Sequence, residues 1–167
     1  MNTTDSSAPS PAQLLEHALT AAHAAAEYLR GLDRDDLSRE YKTSSHDIVT
    51  EHDRRSEEII VSELRRLLPS ARIVGEEGGE RPAAEPCGPE QVSFYVDPID
   101  GTSNFAAGLP LFCISIGVAV DDELVAGVID APILGQVFAA AAGEATLNGR
   151  PLRPRATRPA EIGRAHV

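Results

Sequence analysis

Val92 to Val96 is an apolar, strand-like run, and it leads straight into Asp97-Pro98-Ile99-Asp100-Gly101-Thr102-Ser103-Asn104-Phe105. This stretch constrains the chain more than any other. Asp97 and Asp100 stand three residues apart around Pro98, where the sequence predicts a sharp turn. Carboxylates this close repel one another unless a cation lies between them. A hard divalent cation such as Mg²⁺ takes oxygen ligands and is usually held by one or two carboxylates plus substrate phosphate. Gly101, Thr102 and Ser103 follow, and a glycine ahead of hydroxyl residues can offer successive backbone N–H groups to an anion. If a helix opens there, its first N–H groups face the same anion. Ten residues thus supply cation ligands and a phosphate cradle side by side.

Other acids lie upstream. Asp53 follows Thr50 at the spacing of a capping arrangement, with the acid favoured by the positive end of a helix. Glu76 and Glu77 end a short strand and are bracketed by Gly75 and Gly78. Taken alone, that segment reads as an acidic surface turn; with Asp97 and Asp100 downstream it reads as ligands for a shared cation.

Asp97-Pro98-Ile99-Asp100-Gly101-Thr102 resembles the signature of the inositol monophosphatase family, Mg²⁺-dependent, Li⁺-inhibited phosphatases of small molecules. Asp47-Ile48-Val49-Thr50-Glu51-His52-Asp53 resembles the family's D-[LI]-V-T-x-x-D segment, and Gly75-Glu76-Glu77-Gly78 its G-E-E segment. Ser115-Ile116-Gly117-Val118-Ala119 and Leu147-Asn148-Gly149-Arg150-Pro151-Leu152 also match, in order, so the resemblance runs from about Lys42 to Leu152. It implies hydrolysis of a small-molecule phosphomonoester by metal-activated water. Glu76, Asp97 and the carbonyl of Ile99 would bind one Mg²⁺. Asp97 and Asp100 would bind a second, and Glu77 would be a further metal contact or support. Asp53 and Thr102 would orient the water. Gly101, Thr102 and Ser103 would hold the phosphate. Inositol monophosphate, histidinol phosphate, fructose 1,6-bisphosphate and 3′-phosphoadenosine 5′-phosphate are all substrates of related enzymes. A non-catalytic metal- or phosphate-binding fragment is the reading from another class.

The resemblance covers only the N-terminal part of the family, whose second half carries a W-D-x-A-A-G motif with another ligand aspartate. This chain has no tryptophan. The expectation is a truncated domain over 11–152, with weak or no turnover by these 167 residues alone. Residues 1–10 are expected to be disordered and 153–167 an unstructured tail. The last seven residues, Glu161 to Val167, match the translation of a sequencing adapter and are expected not to be native. A homodimer of the full-length protein stays open.

At 167 residues with 42% apolar and 25% charged content, one domain with a real core is expected. The net charge of −11 argues against nucleic-acid binding, which needs basic residues to neutralise phosphates. No run is long enough to span a bilayer, and no secretory signal is visible. Cys87 and Cys113 make no disulfide framework, which points to a reducing cytoplasm.

The expected architecture is α+β: helices 11–30 and 51–68 layered on one face of a largely antiparallel sheet built after residue 71. Ser10-Pro11-Ala12-Gln13 predicts the first helix start, and Gly31 its end. Leu15, Ala18, Leu19, Ala22, Ala25, Ala26 and Leu29 recur at helical spacing. His17 and His23 have no partner at ligand spacing and read as structural. Arg72 to Val74, Phe112 to Val120, Leu124 to Ile129 and Ile133 to Ala142 read as strands, joined by short turns into a meander. Leu147 to Gly149 adds a brief edge strand, and Glu80 to Gln91 reads as an exposed loop. The sheet's second face, left uncovered, should be apolar and exposed.

Overall fold

The computed structural model describes residues 9–33, 47–86, 88 and 90–153. Helix α1 spans Pro11–Arg30 and begins as the sequence predicts. The Gln13 N–H donates to Ser10 Oγ (3.3 Å), while the Ser10 N–H donates back to Gln13 Oε1 (2.9 Å). Gly31 closes the helix through its N–H to the Glu27 and Tyr28 carbonyls, but at φ −76°, so its left-handed freedom is unused. The buried face is Leu14, Ala18, Ala21, Ala22, Ala25, Ala26 and Leu29. Leu14 and Ala21 therefore belong to the stripe, and Leu15 and Leu19 flank it, only partly covered.

Helix α2 spans Asp47–Leu67 and starts four residues before the expected 51. Thr50 thus lies inside the first turn, and the capping reading of Thr50 with Asp53 is corrected. On this helix Asp53, Ser56, Glu57, Ile60 and Leu64 are all buried, at i, i+3, i+4, i+7 and i+11 positions of one face. The stripe is polar at its N-terminal end and apolar towards its C-terminal end.

The strands are β1 (Arg72–Gly75), β2 (Gly79–Arg81), β3 (Val92–Asp100), β4 (Cys113–Val120), β5 (Glu123–Ala131), β6 (Gln136–Ala141), β7 (Glu144–Leu147) and β8 (Arg150–Pro151). A five-residue helix α3, Thr102–Ala106, separates β3 from β4. The strands form one sheet in the order β2-β1-β3-β4-β5-β6-β7-β8. All pairings are antiparallel except β1 with β3, which is parallel. Two expectations are corrected here. Glu80 and Arg81 pair in β2 rather than lying in a loop. The chain does not turn off sharply at Pro98 either: β3 continues to Asp100 through a register shift against β4 between Asp97 and Asp100. Proline has no N–H for a ladder bond, and an irregularity is where a strand tolerates one. The third meander strand begins only at Gln136, because Gly135 (φ 61°) closes a turn before it. Expectations about residues 1–8, Lys42, Cys87 and 154–167 fall outside the described residues.

α1 and α2 pack on one face of the sheet, over Phe94, Val96, Ile114, Ile116, Val118 and Val128. The opposite face carries exposed apolar residues, among them Leu124 (76% exposed) and Ile129 (44%). The alanine stripe lets α1 lie close to β4 and β5, so that contact has little room for added volume. Ala22→Leu should therefore destabilise the chain by about 1–3 kcal/mol. Urea unfolding checks this as a lower midpoint at unchanged slope.

Candidate active site

Parallel pairing of β1 and β3 brings the two acidic motifs together. Gly75 is in register with Val96, and the Glu76 N–H donates to the Val96 carbonyl (3.1 Å). Glu76 and Asp97 therefore leave adjacent strands at the same carboxyl end, the edge where open α/β sheets place their ligands. The Glu76 carboxyl stands close enough to Asp97 for its charge to act on the Asp97 carboxyl. Burial, then the charge of Glu76, and then that of Asp100 push the Asp97 carboxyl up to about 6.

Asp53 reaches the same place from α2. It is 4% exposed, and its Oδ2 is buried without a hydrogen-bond partner. Burial, followed by the charges of Glu77, Glu76 and Asp97, pushes its carboxyl up to about 7. Among the described residues no three acid, imidazole or thiol groups are gathered closely enough to form a ready metal centre. The acids lie within range of mutual repulsion rather than at coordination distance. Their excess charge and the orphaned Asp53 oxygen fit a site completed by a cation.

The turn after Asp97 is tied internally. The Ile99 N–H donates to Asp97 Oδ1 (3.2 Å), and Thr102 Oγ1 donates to the Ile99 carbonyl (3.0 Å). Gly101 has φ 96°, and a Cβ there would stand 3.0 Å from the Leu111 carbonyl, so both conformation and space require glycine. The carbonyl of Gly101 accepts the N–H groups of Asn104 and Phe105, opening α3. Asp100 is exposed, with Cys113 Sγ 3.8 Å from its Oδ2. Burial, together with Asp100 and Asp97, pushes the Cys113 thiol up to about 11, so it is protonated and poorly nucleophilic. Ser103 is exposed at the start of α3.

Sequence reasoning missed the supports of this site. Ser56 Oγ donates to the Pro98 carbonyl (3.2 Å), fixing α2 to the Asp97–Asp100 bulge. Glu57, 1% exposed, accepts from the N–H groups of Glu77 (2.9 Å) and Gly78 (3.0 Å). The available signal was the α2 stripe, which reaches Asp53, Ser56 and Glu57 when continued back from Leu64 and Ile60. Asp130, 1% exposed, was also missed. His23 Nδ1 lies 2.7 Å from its Oδ2, which gives that histidine a structural partner.

The sequence profile of the inositol monophosphatase family matches residues 10–166. The chain belongs to the inositol monophosphatase family. It is 34% identical over 146 residues to inositol monophosphatase 3 of Solanum lycopersicum, covering 84% of this chain and 52% of that protein. To the fructose-1,6-bisphosphatase/inositol-1-monophosphatase of Thermotoga maritima it is 40% identical over 119 residues, covering 68% and 42%. The crystal structure of the extragenic suppressor protein suhB from Bartonella henselae superposes with a TM-score of 0.70 at 33% identity, covering 87% of this chain and 55% of that one. The chain thus spans about half the length of the curated relatives it matches. The family fold, helices on a mostly antiparallel sheet, is the one observed. The family is one of phosphatases, acting on phosphate esters. No helix among the described residues is long and apolar enough to cross a membrane.

The buried, repelled carboxyl of Asp53 has a consequence for stability. Its folded value, about 7, lies above the ordinary 3.8. Its contribution to stability is complete below 3.8 and is lost as pH rises to about 7. In divalent-free buffer at pH 8, Asp53→Asn should therefore raise the urea midpoint. The gain should shrink progressively towards pH 4.

Proposed function

We propose that this chain carries the phosphate- and cation-binding part of an Mg²⁺-dependent phosphomonoesterase acting on a small-molecule ester of the inositol monophosphate kind. The observation that carries the reading is the convergence of Glu76, Asp97 and Asp53, from two parallel strand ends and one helix, into a cluster with uncompensated negative charge. Glu76, Asp97 and the Ile99 carbonyl would hold one ion, Asp97 and Asp100 a second, with Glu77 as a further contact. The chemistry that bound Mg²⁺ supplies is charge neutralisation at the phosphoryl group and a lower pKa for the attacking water.

The chain's own residues do the positioning. Asp53 Oδ2, buried and unpartnered, is an acceptor for a hydrogen bond from the attacking water. Thr102 Oγ1 has its proton committed to the Ile99 carbonyl, which leaves its lone pairs to receive the water's other hydrogen. The N–H groups of Gly101, Thr102 and Ser103 precede the first intrahelical bonds of α3 and would donate to the phosphate oxygens. Cys113 takes no part, so no covalent phosphoenzyme is invoked.

The test is phosphate release from inositol 1-phosphate, with calorimetric Mg²⁺ titration as the readout where turnover is slow. Turnover should require Mg²⁺, be suppressed by Li⁺ and fall at least about 100-fold in Asp97→Asn, since several kcal/mol of charge stabilisation pass through that carboxylate. The Mg²⁺ heat should vanish in the same variant. Asp97→Asn with an unchanged rate and an unchanged titration would remove Asp97 from the site.

A further inference from the structure

Glu57 is a buried acid at the centre of the site's framework, and its carboxylate faces the backbone of the Gly75–Gly78 turn. Its two oxygens divide between two backbone donors: Oε2 takes the Glu77 N–H at 2.9 Å and Oε1 the Gly78 N–H at 3.0 Å. Arg81 Nη1 lies 2.7 Å from Oε1 as an ion pair, without an N–H aligned for a hydrogen bond. The glycines of this turn make room for the same ion pair. A Cβ on Gly75 would run into both Glu57 oxygens, and one on Gly78 would meet the Arg81 guanidinium first and then Glu57 Oε1 at 2.6 Å. Glu57 also lies one helical turn beyond Asp53, so both project from the same face of α2 towards the acidic turn.

We propose that Glu57 is a positioning residue: its buried carboxylate sets the Gly75–Gly78 turn so that Glu76 and Glu77 are presented to Asp97 and Asp53. What the turn serves rests on the phosphatase reading; that Glu57 sets the turn does not. A backbone turn bearing two acids beside two others is pushed apart by their charge. A second, oppositely directed anchor is needed to hold it, and Glu57 supplies it through main-chain donors, leaving the Glu76 and Glu77 side chains free. Arg81, from the strand that follows, pairs with the anchoring carboxylate and holds it in place.

The experiment uses the 167-residue chain and its Glu57→Gln variant, with Mn²⁺ as the probe ion. Glutamine keeps the size but replaces one accepting oxygen with a donor, so one N–H of the turn meets an N–H. Without metal, the amides of Glu77 and Gly78 should exchange with solvent at least about tenfold faster, while those of β4 and β5 are unchanged. With metal, Mn²⁺ should bind about 10–100-fold more weakly, the usual effect of removing an outer support from a ligand. Gly75→Ala leaves Glu57 in the chain but displaces its carboxylate. It should weaken Mn²⁺ binding similarly, and the double variant should be no weaker than the worse single one. Unchanged exchange at Glu77 and Gly78, or faster exchange with unchanged Mn²⁺ affinity, would overturn the proposal. Wild-type protein whose Mn²⁺ binding is absent or insensitive to Asp97→Asn overturns the phosphatase reading instead. The amide exchange then still decides whether Glu57 sets the turn.

Discussion

Like charges held at one end of a sheet are the constraint around which this structure is built. Glu76 and Asp97 are adjacent because β1 and β3 run parallel, and Asp53 is pressed in from α2. Burial removes the water that would screen them, so the cost of ionising Asp53 and Asp97 rises. The framework resists with bonds that do not consume the acids themselves. Ser56 holds the Pro98 carbonyl, and Glu57 holds the amides that follow Glu76. Arg65, further along α2, donates to the carbonyls of Ala71 and Arg81 and so fixes both strands flanking the acidic turn. One helix thereby fixes both acidic segments, and local stability is given up where a cation would restore it.

The remaining elements set where α2 can lie. α1 approaches the sheet through alanines, and His23 reaches the buried Asp130 of β5 across that contact. At its other end, Tyr28 Oη lies 2.7 Å from His52 Nδ1, next to Asp53 in the chain. His52 then meets Phe105 edge-on at 5.8 Å, and Phe105 meets Phe112 at 5.1 Å. Aromatic pairs in this geometry gain from opposed edge and face charges beyond their buried area. The row connects α1, α2 and α3, so the turn carrying Gly101 and Thr102 is set relative to Asp53 by packing as well as by the backbone.

The parts of this arrangement that were legible in the sequence are local ones. Ser10, Pro11 and Gln13 announce a helix start because a capping box is complete within four residues. Alternation marks β4, and Asp97 to Thr102 concentrates its chemistry in one short stretch. The parallel pairing of β1 with β3 was not legible, because nothing in Arg72–Gly75 says which later strand it will join. The short strand β2 was hidden for the same reason: Gly-Glu-Arg has no apolar period, and pairing with β1 alone makes it a strand. Glu57 was hidden differently. In sequence it is one acid in a charged helix, Arg54 to Glu58, and only the position of Gly75 and Gly78 shows that it faces inward.

The two faces of the sheet carry different demands. The helix-covered face is closed by aliphatic packing, and the acidic cluster lies at its rim. On the other face, Arg72 lies over Tyr95, with its guanidinium 5.9 Å from the ring centroid and bonds to Tyr95 Oη and Ser93 Oγ. That cover protects β1 and β3, the strands that present the acids, and buries Ser93. It does not extend to Leu124 and Ile129 on β5, which are open to solvent. The strands that position the acids are therefore packed by the helices on one face and partly covered by Arg72 on the other, where Tyr95 is still 37% exposed. Those further along the meander are packed on one. Because the site's geometry is set at the β1–β3 pair and by α2, its acids can be held in place irrespective of what meets the far side of β5.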